Sequence, residues 1–484
     1  MLPFYNQFIL GPRRLDGFQS WQYFQLWNTH HLIAHPNLKV EKAENEKVAV
    51  YLIGYLLDPD RPHASSMDIL NSLIDHADRN VDLFKAIEPL GGRWALIFKT
   101  PQTLQLVHDA AGLRQVYYSD VGLTGELWCA SQPSHIANAC ALEMDPEAVA
   151  FIRWFQDKDK EYWWPGESSP YRSIKRLLPN HYLNLKNGQP IRFWPTQDRK
   201  SRPLNEAVKG ISNTLSGMIQ SAASRFNLAV GMSAGWDSRL MLAASRPVSK
   251  KLRYYTIKKT DFEMTHADIE IPTKLLEKLG LEHDLIEVLP NASPEFAVMF
   301  DQQVPFAHER RLARMYTNLS YYQRQKVGTT GNVSEVARCF YQRPDPPAQL
   351  VTTEYLMKVT HAEHPFAQEH FGRWLNTVED CRQYNVLDLF YWEQRIGSWF
   401  ANNCQEFDSA WSDIFVPYNC RRLLMDMLAV DECHRTKPSY ELFRCLILKM
   451  WPDTLSYPIN PHQKQKGLIR YLKRVVRPLK RFLQ

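Results

Sequence analysis

The chain has 484 residues, 44% hydrophobic and 23% charged, a composition that suits two or three globular domains and excludes a disordered chain. Its longest apolar run, Val48–Leu57, is ten residues, against the ~18–20 that a membrane-spanning helix needs. Lys and Arg total 58 and Asp and Glu 52, a net charge of +6 that matters only where it is concentrated. Eight cysteines, no two separated by two residues, argue against a disulfide scaffold and against CxxC metal or redox chemistry, and favour a reducing cytoplasm. The opening MLPFYNQFIL has no basic residue ahead of an apolar stretch, so no signal peptide is expected.

In chain order, Val48–Leu57, Gly91–Lys99, Leu104–Asp109, Arg114–Ser119 and Leu127–Ser131 read as strands, being aromatic and β-branched runs bounded by Gly, Asp and Pro. Asp68–Ala77 and Asn80–Glu88 read as helices from apolar spacings of three and four. The polar stretch TQDRKSRPLNE, from Thr196, reads as a linker. Strand and helix then alternate: helix Ala207–Ser224, strand Asn227–Met232, a helix from Asp237, strand Lys251–Ile257, helix Ile269–Leu279 and strand His283–Val288. That alternation predicts a doubly wound α/β sheet, followed after about residue 350 by a mostly helical part.

The most informative segment is Leu228–Leu240, LAVGMSAGWDSRL. A strand runs into Ser233-Ala234-Gly235-Trp236-Asp237-Ser238 and a helix follows. Small residues let a ligand approach the backbone, and the free amides of a helix N-terminus favour an anion. Asp237 would repel a bare phosphate, so its presence suggests a bridging cation, with Mg²⁺ the natural choice. The bland alternative is a tightly packed strand–turn–helix corner.

This loop resembles the S-G-G-x-D-S pyrophosphate loop of ATP-pyrophosphatase (PP-loop) enzymes, with Ala234 in place of the second-position Gly and Arg239 where Ser or Thr is common. Asp109–Tyr118, DAAGLRQVYY, is similar to the D-x-x-G-x-x-P-L-Y-Y hairpin of asparagine synthetases, and Cys129-Ala130-Ser131 to their F-A-S strand. Ile174–Trp194, Leu276–His283 and Val416–Leu423 resemble further segments of that family in the same order. The resemblance implies an Ntn-hydrolase-like αββα sandwich at residues 1–197. It implies a doubly wound α/β PP-loop domain, adenine nucleotide alpha hydrolase-like with a helical C-terminal part, at 205–463.

The resemblance also locates departures. Glutamine-using members carry a nucleophilic cysteine at position 2; Leu2 stands there and cannot attack an amide, so this first domain is expected to be inactive, as in the β-lactam-synthetase-like branch. The second acidic loop of the family corresponds to Thr330–Tyr341, TGNVSEVARCFY, where Ser334 takes the Asp position, Glu335 remains and Arg338-Cys339 replace Gly-Gly. Asp237 and Glu335 are the metal-ligand candidates, and Glu335 is equally readable as a solvated helix residue. The family's late lysine corresponds to Lys464 or Lys466, between which the sequence does not choose. By the same resemblance Ser233, Ala234, Gly235, Asp237, Ser238 and Arg239 contact the nucleotide.

Other candidates read as structural. Glu393 and Arg395, two apart, do not share a helix face. His30, His31 and His35 lack acidic or cysteine partners nearby, and Asp268, after His266, reads as a helix N-cap. The last 21 residues, Lys464–Gln484, hold eight basic residues, no acid and an apolar stripe at helical spacing interrupted at Pro478. Such a tail suits either an anionic membrane surface or docking on its own domain. Without it the chain holds 50 basic and 52 acidic residues, a net −2, which gives no electrostatic reason to bind nucleic acid.

The expected activity is therefore asparagine-synthetase-like: ATP and Mg²⁺ convert a carboxylate to an acyl-adenylate, and ammonia or an amine displaces AMP. The rival is a catalytically inactive scaffold or regulatory protein that kept both folds. The expected location is cytoplasmic, with a peripheral membrane contact and a homodimer left open.

Overall fold

The computed structural model describes residues 3–27, 30–79, 81–159, 161–196, 201–345, 350–381 and 383–461. Leu2, Lys464, Lys466 and the basic tail lie outside the described residues.

Among the described residues, twelve strands fall in the first 192 positions: β1 Phe8–Gly11, β2 Gln22–Trp27, β3 His30–Ala34, β4 Val40–Glu44, β5 Ala49–Leu57, β6 Gly91–Lys99, β7 Leu104–His108, β8 Tyr117–Ser119, β9 Cys129–Ala130, β10 Ile174–Arg176, β11 His181–Asn184 and β12 Gln189–Arg192. They form two antiparallel sheets, ordered β10-β8-β9-β1-β3-β2 and β12-β11-β7-β6-β5-β4. Side chains alternate across each strand. Leu10 and Leu32 of the first sheet meet Ile53, Ile97 and Leu106 of the second in one buried layer. The outer face of the second sheet, with Leu52 and Leu96, packs on Ile69, Leu70 and Leu73 of the helix Ser66–Asp78. The outer face of the first, with Ile9 and Ile33, packs on Ile136 of the helix Pro133–Cys140. The result is a four-layer αββα sandwich. Because β5 and β6 are covered on both faces, β5 is apolar throughout and β6 nearly so, its one internal charge being the buried Arg93.

Two boundaries move for identifiable reasons. The helix expected from Asp68 starts at Ser66, because the Ser65 hydroxyl accepts the Asp68 amide (3.1 Å) and the Asp68 carboxylate accepts the Ser65 amide (2.8 Å), a capping box. The strand expected over Arg114–Ser119 keeps only Tyr117–Ser119. The Asp109 carboxylate accepts the amides of Leu113 (2.8 Å) and Arg114 (2.9 Å), which fixes a turn where a ladder was expected.

The later strands are β13 Leu228–Gly231, β14 Arg253–Lys258, β15 His283–Glu287, β16 Val327–Thr329 and β17 Ile414–Phe415. They form one parallel sheet in the order β15-β14-β13-β16-β17. Helices Leu204–Arg225, Trp236–Ala244 and Ala267–Lys278 follow or precede its strands, and the chain after Thr353 is mostly helical. The fold is mixed α/β, a doubly wound parallel sheet with a helical C-terminal part. No helix among the described residues is long and apolar enough to cross a membrane.

The sandwich and the parallel sheet share buried contacts. Arg93 makes a bidentate pair with Asp408 (2.6 and 2.8 Å) and also reaches Asp413 (3.0 Å), which Arg114 pairs from its other side (3.1 Å). The Tyr55 hydroxyl donates to the carbonyl of Ile414 (2.7 Å). Gly217, on the helix Leu204–Arg225, lies so close to the carbonyl of Pro59 that any Cβ there would overlap it.

Candidate active site

In a doubly wound sheet, ligands bind beyond the carboxyl ends of the strands, at the point where strand order reverses. Here β13 is first in sequence; β14 and β15 extend the sheet on one side, β16 and β17 on the other. The reversal lies between β13 and β16. A cavity of about 360 Å³ opens there, lined by Ser233, Asp237 and Ser238 after β13 and by Thr330, Gly331 and Asn332 after β16.

The loop after β13 is tightly self-bonded. The Ser238 hydroxyl accepts the Ser233 amide (3.3 Å) and lies 3.0 Å from the Ser233 carbonyl. The Ser233 hydroxyl accepts the Gly235 amide (3.2 Å) and sits 3.1 Å from that of Ser238. Neither Ala234 nor Gly235 has a positive φ, so an alanine at 234 is unstrained. Gly235 is the N-cap of the helix Trp236–Ala244, and the buried Ala234 gives its amide to the carboxylate of Asp268 (2.9 Å). That bond corrects the sequence reading of Asp268. His266 is the N-cap of the helix Ala267–Lys278, and Asp268 turns back to the loop.

Asp237 opens the helix and meets the second loop. One of its carboxylate oxygens accepts the Ser334 hydroxyl, and the other accepts Arg338 Nη2 at 3.0 Å. Burial pushes the Asp237 carboxyl above the usual carboxylate range, against the pull of Arg338. Arg338 also lies 3.8 Å from Glu335. Burial, with Asp237 adding to it, pushes the Glu335 carboxyl up to about 7, and its Oε2 is buried without a hydrogen-bond partner. Gly331 is required where the two loops touch, since a Cβ would lie 2.9 Å from Cβ of Asp237 and 3.0 Å from its carbonyl carbon.

These contacts decide whether Asp237 and Glu335 suit Mg²⁺. The ion demands near-ideal octahedral oxygen ligation and carboxylates that are charged and free to bind it. Both Asp237 oxygens already accept protein donors, a guanidinium sits beside them, and burial biases Glu335 toward its neutral form. As arranged, the expected pair does not form an Mg²⁺ site. The cause is Arg338, at a position where the resembling family has glycine. The one group of three potential metal ligands among the described residues, Cys339, Asp388 and Glu432, is likewise occupied: Arg343 bonds both carboxylates and Arg435 bonds Asp388.

Arg239 is also corrected. It is fully buried and points away from the loop's ligand side, donating to the carbonyls of Thr454 (2.6 Å), Tyr457 (2.9 Å) and Pro458 (3.4 Å). Burial pushes its guanidinium down to about 10. It fixes the turn that brings Asn460 against the loop, where the Asn460 amide donates to the carbonyl of Ala234 (2.9 Å).

The rest of the cavity comes from residues that the sequence reading did not select. Arg311 and Arg314 stand three apart around the start of the helix Leu312–Tyr322, joined in the lining by Asn318 and Asn403. Arg311 is paired with Glu161 (2.9 Å) and Glu406 (3.2 Å). Arg314 has no carboxylate within ion-pair distance among the described residues; it lies beside the Tyr255 hydroxyl, and it lines the cavity. The ERRLAR run at Glu309–Arg314 was the available signal, but nothing local shows which arginine is paired. Glu393 and Arg395 are structural: Glu393 is fully buried between Arg192, Asn180 and Trp374, and Arg395 bonds the carbonyl of Glu161. His31 contacts Tyr23, and His35 is buried.

No family model and no curated protein matches the chain. Solved structures with some likeness include the glutamine-dependent NAD+ synthetase from Acinetobacter baumannii in complex with ADP, at 15% identity and TM-score 0.21, covering 35% of this chain and 32% of that one. The NMN synthetase from Francisella tularensis shows 13% identity and TM-score 0.22 over 38% of this chain and 97% of that one. The glutamine PRPP amidotransferase from B. subtilis shows 11% identity and TM-score 0.21 over 60% of this chain and 62% of that one. This chain thus matches about a third of the Acinetobacter enzyme's length.

Proposed function

We propose that the chain is an ATP-dependent, amide-forming ligase of the asparagine-synthetase type that does not hydrolyse glutamine itself. The observation that carries this reading is the small-residue loop Ser233–Ser238 at the strand-order reversal, opening on a cavity whose far side presents Arg314, Asn318 and Asn403. Ser233, Gly235 and Ser238 hold the nucleotide phosphates, with the helix Trp236–Ala244 aiming its positive end at them. Arg314 holds an anionic group of the carboxylate substrate. The substrate carboxylate attacks the α-phosphate, pyrophosphate leaves, and ammonia or an amine then displaces AMP.

Either Lys464 or Lys466 stabilises the departing pyrophosphate in this reading. Residues 1–197 are taken as an inactive amidotransferase-like domain and 205–463 as the synthetase domain.

A second reading, a nucleotide-free scaffold, is favoured by two contacts: Arg338 on Asp237 and Asp268 on the Ala234 amide. Pyrophosphate release from ATP, measured against a panel of carboxylic acids with ammonium or amines, separates the two. The ligase gives acid-stimulated release that falls by about 10²-fold or more in Ser233→Ala with Ser238→Ala. No release with any acid, and no ATP binding, supports the scaffold.

A further inference from the structure

The second loop carries a cation of its own. Arg338 does not line the cavity. It reaches Asp237 from the Ser334–Cys339 side, with its guanidinium 5.7 Å from the ring centres of both Tyr440 and Phe443. Its Nη2 is 3.0 Å from one Asp237 oxygen, and the Ser334 hydroxyl holds the other. Asp237 therefore shows the cavity a neutralised carboxylate. A divalent ion placed on the same carboxylate would stand beside the guanidinium as a like charge, and at a buried site that repulsion is only weakly screened. Ion and arginine do not share Asp237 as it is held here. The cavity has its own positive group in Arg314, which faces it without a carboxylate partner among the described residues.

We propose that Arg338 is the resident counter-cation of the Ser233–Ser238 loop, and that the cavity takes a phosphate-bearing anion, pyrophosphate or a nucleoside triphosphate, without a divalent metal. This rests on the nucleotide reading of the loop but not on catalysis. A metal-dependent site needs Asp237 as a ligand. A site neutralised by Arg338 needs Asp237 only as the partner that Arg338 cancels, so removing the charge of Asp237 leaves anion binding intact.

The test is calorimetric titration of the full chain with inorganic pyrophosphate, in excess EDTA and in excess magnesium chloride. The wild type is expected to bind in EDTA with a Kd within about threefold of that in magnesium. Asp237→Asn, nearly isosteric, is expected to keep or improve metal-free binding. Arg338→Met, which leaves Asp237 charged and unpaired, is expected to weaken it by about tenfold or more, and the combination with Asp237→Asn to restore it. Three results overturn the proposal: wild-type binding about tenfold or more tighter with magnesium, loss of binding in Asp237→Asn, or metal-free binding unchanged in a folded Arg338→Met. If Arg338→Met does not fold, the Asp237→Asn titration decides. Binding in neither buffer removes the nucleotide reading along with this one; binding only with magnesium removes this one alone.

Discussion

Arg93 is the group whose loss should be felt across the whole molecule. Its guanidinium is 2% exposed and the Asp408 side chain 1%. Three charged hydrogen bonds run from it to Asp408 and Asp413, and its Nε donates to the carbonyl of Leu113 (3.1 Å). Replacing Arg93 with Met keeps most of the volume but leaves Asp408 buried without its guanidinium partner, the Asn6 amide at 3.2 Å remaining as a donor. Stranding one member of a buried pair costs about 3–5 kcal/mol. Asp408→Asn strands the arginine less completely, because Arg93 keeps Asp413, so about 2–3 kcal/mol is expected. The double variant removes both charges and should lose no more than the Arg93 variant alone. Urea denaturation followed by tryptophan fluorescence and far-ultraviolet circular dichroism measures all three. Because the pair joins the antiparallel sandwich to the chain before β17, both signals should shift together. Single losses below about 1 kcal/mol, or additive losses in the double variant, would refute the reasoning.

Gly331→Ala forces a Cβ to 2.9 Å from Asp237, so thermal melts should show a loss of about 1–3 kcal/mol. Glu335 is held near pKa 7, above its unfolded value, so the fold favours its neutral form. Its cost is absent at pH 4, grows from about pH 4.5 and is complete above pH 7, on the order of 3 kcal/mol, and Glu335→Gln should flatten that part of the stability–pH profile measured by denaturation. Arg314→Leu should raise KM for the acid substrate by about 10–100-fold, with little change in melting temperature, because the arginine bears on the cavity and has no carboxylate partner among the described residues.

What the sequence shows depends on how local the cause is. β6 was legible to the residue, since both its faces are buried and Gly and Lys bound it. β2 and β4 were not, because QYFQLW and VEKAE are half-exposed edge strands whose pattern is diluted by polar residues. The Ser233–Ser238 loop was legible because its small residues and its helix start lie within one short stretch. The partners that set its chemistry were not. Asp268 is 34 residues from Ala234, and Arg338 is 101 residues from Asp237. By resemblance Arg338 stands out only as a missing glycine, and the structure shows it as a charge.

In the ligase reading, the loop between β13 and the helix Trp236–Ala244 holds nucleotide phosphates. A crystal structure with a non-hydrolysable ATP analogue tests it most directly. The expected result places the β- and γ-phosphate oxygens within about 3 Å of the Ser233 and Ser238 hydroxyls, with the triphosphate inside the cavity that Arg314 faces. An analogue bound elsewhere, or a loop that keeps its internal bonds with the cavity empty at saturating analogue, would contradict it.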